Sequence, residues 1–125
     1  MTDLPVTLRA AADERRYREA IATGETRPLT ALPDLGRWRY WRLIENEYPY
    51  TMAFAAHYML VVKRPVAERP DLNAAERTEF EKILTDYVYP HYDLWFENVP
   101  AKRTAPSIYH VHLVRYYGKR EDMRL

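Results

Sequence analysis

The chain has 125 residues, 47% of them hydrophobic, with 19 basic against 18 acidic side chains, a formal net charge of +1 and no cysteine. That size and mixture predict one globular domain with a single core, and exclude disulfide scaffolds, thiol catalysis and cysteine-ligated metal centres. Evenly mixed charge argues against a dedicated nucleic-acid binder. The opening stretch lacks a secretory apolar run and no segment approaches the roughly 20 apolar residues of a membrane span, so a cytoplasmic protein is expected.

In chain order, Thr7 to Thr23 reads as a helix with a thin apolar stripe (Leu8, Ala11, Ala12, Ile21), closed by Gly24. Glu25 to Gly36 carries Pro28 and Pro33 and reads as a loop. Trp38 to Glu45 is a predicted strand, broken by Asn46-Glu47-Tyr48-Pro49. His57 to Lys63 is the strongest strand signal, ended by Pro65, and Arg64 to Leu72 is a loop. Asn73 with Glu76 three residues on has the form of a capping box. Behind it Phe80, Ile83, Leu84, Tyr87 and Val88 recur at helical spacing until Pro90, where the helix is expected to end. Leu94 to Glu97 is a short strand, Asn98 to Pro106 a loop and Ile108 to Tyr117 the last strand.

This order predicts an α+β fold: an antiparallel sheet with a long amphipathic helix packed on one face, plus an N-terminal helix. The whole chain, 1–125, is one domain, with a helical extension at about 1–36, a core at about 37–117 and a short tail at 118–125. Gly24, Gly36 and Gly118 are the only glycines, too few and too scattered for a P-loop or a dinucleotide fingerprint.

The chemistry concentrates in Ser107-Ile108-Tyr109-His110-Val111-His112-Leu113-Val114. Alternate residues of a strand share a face, so His110 and His112 project side by side, with Ser107 at the strand's entry. Such a face suits phosphate chemistry, or a metal if a third ligand joins it from His57, His91, Asp93 or Glu97. Packed histidines with no chemistry are the plainer reading. His91, at a helix end, reads as a partner of the helix dipole. Asn46 ahead of a Tyr-Pro turn reads equally as a turn former. Eleven tyrosines, three tryptophans and three phenylalanines exceed what a small core can bury with satisfied hydroxyls, so some rings are expected at a pocket or an interface.

From about Trp38 to Tyr117 the chain resembles the histidine triad (HIT) superfamily of nucleotide hydrolases and transferases. The likeness rests on an ordered set: Asn46-Glu47-Tyr48-Pro49, the strand His57 to Lys63 followed by Arg64-Pro65, the amphipathic helix, Asn98, and Ser107-Ile108-Tyr109-His110-Val111-His112-Leu113. The resemblance implies a nucleotide or nucleotide-conjugate substrate, no cofactor and no metal, and a homodimer of the kind many relatives form. It implies nucleotidyl transfer through His112 as nucleophile, supported by His110. An imidazole suits that step, being neutral near pH 7, nucleophilic and a good leaving group. Asn98 and Ser107 would donate to phosphate oxygens, Asn46 would belong to the nucleoside pocket, and His57 would stand behind the motif as a supporting partner.

Three positions depart from the superfamily pattern. The third histidine of the triad is Val114, which can neither donate nor protonate; one transferase branch has glutamine there, which still donates. The Gly-Gln pair before the serine is Ala105-Pro106, and proline has no N–H to offer phosphate. The glycine that often precedes the strand histidine is Ala56. Two readings therefore stand: a nucleotide hydrolase or nucleotidyltransferase, or an inactive HIT-like module that binds nucleotides or proteins.

Overall fold

Local signals account for most element boundaries in the computed structural model, which describes residues 4, 6–102, 105 and 107–125, with backbone alone at 101. Pro106, singled out above, lies outside the described residues. The first helix, α1 (Ala11–Thr23), starts four residues later than expected and ends at Gly24, whose φ of 72° is the left-handed cap that glycine adopts at little cost. Its expected apolar stripe is not what docks it: Leu8 and Ile21 are exposed, while Asp13, Glu14 and Ala20 are buried. Glu14 accepts from the Thr7 hydroxyl at 2.6 Å and pairs with Arg18 at 2.9 Å and Arg9 at 3.3 Å. Asp13 accepts from the Thr51 hydroxyl and pairs with Arg16 at 3.1 Å and Arg124 at 3.2 Å. Buried charges need such partners, and these ones draw the helix, the 50s turn and the C-terminal tail together.

A two-residue strand, β1 (Gly36–Arg37), arises where a loop was expected and pairs with β2 (Trp41–Glu45). The next strand, β3 (Phe54–Val62), begins three residues before His57, with an irregularity between Phe54 and Ala56. After it comes α2 (Ala74–Ile83), where Asn73 and Glu76 close the predicted capping box in both directions at 2.8 Å. The helix runs on as a π-helical segment, Leu84–Val88, and a last turn, Tyr89–His91. Pro90 therefore lies inside that last turn instead of beyond it. Its missing N–H falls where the helix is already closing, and Tyr92 N–H still reaches the Val88 carbonyl at 2.9 Å. His91 Nδ1 lies 2.6 Å from the Tyr87 carbonyl in the same turn, as a C-terminal histidine should.

Two further strands, β4 (Leu94–Phe96) and β5 (His110–Tyr116), complete an antiparallel sheet in the order β1-β2-β3-β5-β4. The two-residue period then sorts the side chains. On one face Trp41, Leu43, Leu60, Val62, Val111 and Leu113 pack against Phe80, Ile83, Leu84 and Val88 of the α2 unit to form the main core. Ile44, Met59 and Val61 lie on the other face with Leu32, in a smaller cluster. Cross-strand register places His57 opposite Val114, Met59 opposite His112 and Val61 opposite His110. All three histidines thus share the face away from α2, beside the loop that follows α1. Among the described residues, no helix is long and apolar enough to cross a membrane.

Candidate functional site

A cleft of about 630 Å³ opens on the histidine face of the sheet. Its floor is Met59, His110 and His112; its walls come from Tyr17 and Ile21 of α1, Leu29 and Leu32 of the following loop, and Asn46, Tyr48 and Tyr50 of the turn between β2 and β3. Ser107 and Ile108 line it ahead of β5. Four of the predicted residues, Asn46, Ser107, His110 and His112, therefore meet on one surface. Their convergence follows from strand period and register: His110 and His112 alternate on β5, and Met59 lies between them and the β2 side.

His57 and Asn98 meet the same site through His112. His57 Nε2 lies 2.7 Å from His112 Nδ1, and Asn98 Nδ2 lies 3.4 Å from His112 Nε2 and 2.9 Å from the Tyr50 hydroxyl. Phe96, opposite His112 in the register of β4, lies nearly parallel to its ring at 5.0 Å between centroids, and Tyr50 does so at 5.4 Å. His112 is 3% exposed within this aromatic packing.

The backbone decides where the protons of this pair reside. Tyr50 N–H donates to His57 Nδ1 at 3.0 Å, so that nitrogen carries a lone pair. Burial, the Arg9 charge and His110 push the His57 pKa down to about 3, so the ring is neutral at pH 7 and its proton is on Nε2. Nε2–H then donates to His112 Nδ1, which must in turn be an acceptor. His112 is also held well below its ordinary pKa, by burial first and then by His57, His110 and Arg9. Neutral His112 accordingly carries its single proton on Nε2. A donated bond from the Asn98 amide nitrogen would demand the opposite tautomer in both rings, and would set a His57 Nδ1–H against the Tyr50 N–H. The amide can turn by half a rotation to present oxygen, whereas the backbone N–H cannot change sign.

The other predicted positions have partners of their own, and Asn46 Nδ2 lies 3.4 Å from His57 Nδ1 and 3.3 Å from His57 Nε2. His110 Nδ1 lies 2.9 Å from the Ile108 carbonyl, so that nitrogen is the donor. Asn46 is a turn former, its Oδ1 accepting from Tyr48 N–H at 2.8 Å, and it also lines the cleft. Val114 is fully buried opposite His57, on the motif's own face. Of the candidates for a third metal ligand, His57 is engaged with His112 at 2.7 Å. His91 bonds to Tyr87, Asp93 accepts from Tyr116 N–H at 2.9 Å, and Glu97 pairs with Arg69 at 3.0 Å. Among the described residues no three His, Asp or Glu side chains group as a metal shell.

Sequence reasoning missed Arg9 and Tyr17, and had Tyr50 only as one of the tyrosines of which some were expected at a pocket or an interface. Arg9 is partly buried in the wall of the cleft, its guanidinium 3.9 Å from the centre of the Tyr17 ring. It was one arginine in a charge-rich segment, with no spacing to distinguish it. Tyr50 stands directly after the Asn46-to-Pro49 turn, and that adjacency was the only signal to set it apart.

Comparison of the chain with protein-family models gave no match, and no curated protein matched it significantly.

Proposed function

We propose that this chain is a HIT-like protein whose cleft holds a nucleotide or nucleotide conjugate without passing the nucleotidyl group to His112. The cleft has the size of a small-ligand pocket. Apolar walls from Ile21, Leu29, Leu32 and Ile108 suit a base, the tyrosine rings offer stacking faces, and Asn46, Ser107 and His110 offer polar partners.

The observation that carries this reading is the bond from Tyr50 N–H to His57 Nδ1, from which the proton order of the pair follows. Attack on phosphorus needs a lone pair, and the nitrogen of His112 that His57 does not engage holds a proton. Freeing that lone pair requires either a base for the Nε2 proton or reversal of both tautomers against a fixed backbone donor. Val114 compounds the problem, because the position supplies no donor to a leaving group. General acid catalysis, where it operates, is worth about 10² to 10⁴-fold in rate. Both features leave binding intact. A donor and an apolar cavity are what a holding pocket needs.

Calorimetric titration with adenosine and guanosine monophosphates and their nucleosides tests the reading. Saturable binding of at least one nucleotide is expected, and His112→Phe should weaken it without lowering any turnover. Absence of saturable binding for the whole set would overturn it.

A further inference from the structure

Arg9 precedes α1, and its side chain is 9% exposed, unusually low for a cation. Its guanidinium lies 3.9 Å from the Tyr17 ring centre and 5.0 Å from that of Tyr50, and Nε donates to the Tyr48 carbonyl at 2.8 Å. Nη1 reaches Glu14 Oε1 at 3.3 Å, while Nη2 has no hydrogen-bond partner among the described residues. Glu14 is a shared counterion, because Arg18 pairs with its other oxygen at 2.9 Å and the Thr7 hydroxyl also donates to it. Two guanidiniums on one carboxylate leave a positive charge unmatched. The other charged groups of the cleft, Arg27 and Glu47, pair with each other.

A partly buried, stacked, half-compensated arginine is favourable beside an anion. The aromatic faces and the Tyr48 carbonyl fix the plane of the guanidinium, so its remaining donors point without loss of side-chain freedom. We infer that Arg9 is the anion-holding residue of the cleft and takes a phosphate group of the ligand, so that the segment before α1 forms part of the binding site. This deepens the nucleotide reading above and rests on it for the class of ligand. It also assigns a task to the buried carboxylates of α1: Glu14 holds Arg9 in place without neutralising it.

The test is a titration of the full chain and its Arg9→Gln and Arg9→Lys variants with inorganic phosphate, adenosine monophosphate and adenosine. Wild type should bind the monophosphate more tightly than adenosine. Arg9→Gln should lose about 10- to 100-fold in affinity for both phosphate-bearing probes, the usual worth of a charged hydrogen bond, and should leave adenosine unchanged. Arg9→Lys, which keeps the charge but not the planar fork, should fall between them. If Arg9→Gln does not melt as a folded protein, the Arg9 Nε–H resonance of the wild type is followed instead and should shift on adding inorganic phosphate. Equal affinity of wild type and Arg9→Gln for the monophosphate, or an unmoved resonance at saturation, overturns the assignment while leaving the nucleotide reading in place. Phosphate held through Arg9, with the monophosphate bound no more tightly than phosphate itself, upholds the assignment and overturns the nucleotide reading. If neither phosphate nor the monophosphate saturates, both fall.

Discussion

Tyr50 acts on the site through its backbone as much as through its ring. One N–H, donated to His57 Nδ1, orders the protons of two imidazoles in series and leaves His112 as a donor. Long-range nitrogen–proton correlation spectra read that order directly. They should show both His57 and His112 protonated on Nε2 alone, unchanged between about pH 8 and pH 5, because burial holds both rings neutral across that range. A protonated Nδ1 on either ring would contradict the scheme. What was legible at this scale followed from the strand period. His110 and His112 share a face whatever surrounds them, and Ser107 leads into the same strand; Asn46, which also lines the cleft, was placed there by the family resemblance alone. Arg9 and the Tyr50 N–H were not legible: the first depends on a contact between the N-terminal segment and a turn some 40 positions away, the second on a hydrogen bond that any residue but proline could make.

The two helices show why one element can be read and another only half read. Helix α2 announces itself by cap and stripe: the cap closes as predicted, and the stripe packs on the core although it runs past Ile83 into the π-helical segment. Asn73→Ala should cost about 1 kcal/mol in chemical denaturation, the usual worth of an N-cap. Glu76→Ala should cost more, about 2 kcal/mol. That change removes the return bond to Asn73 N–H and also strands Arg64, whose Nε and Nη2 both reach the carboxylate at 3.0 and 2.8 Å. Arg64 is half exposed, so solvent limits its share. Equal losses for the two variants would remove the ion pair from the account. By contrast α1 has little apolar pattern to read, because buried carboxylates dock it to Arg9, Thr51 and Arg124. Those partners are distributed along the chain, and no local periodicity encodes them. The two-residue β1 was missed for a related reason: its pairing with β2 is a property of the hairpin, and Gly36-Arg37 alone carries no strand propensity.

At the scale of the molecule, the neutral histidine pair makes the fold acid-sensitive. His57 has a folded pKa near 3 against an unperturbed 6.5. Between those values the unfolded chain binds a proton that the folded chain refuses, so stability is complete above about pH 6.5 and falls as the pH drops toward 3. His112 acts in the same direction. Each can contribute a slope of up to about 1.4 kcal/mol per pH unit. Glu76, its carboxyl lowered chiefly by the Arg64 hydrogen bond, adds a loss that begins only below its unfolded value of 4.5. Melting temperature should therefore start to fall near pH 6.5, before carboxylates titrate, and His57→Gln should flatten that early part. A melting temperature constant from about pH 7 to pH 5 would contradict the buried neutral pair.

On the proposed function, the cleft holds a nucleotide without chemistry at His112. Incubation with adenosine and guanosine phosphoramidates and dinucleoside polyphosphates, followed by intact mass and assay of released monophosphate, addresses it most directly. Unmodified protein and no released monophosphate are expected at ligand concentrations that saturate binding. A nucleotidyl adduct on His112, absent from His112→Ala, would contradict it and restore a transferase that works despite Val114.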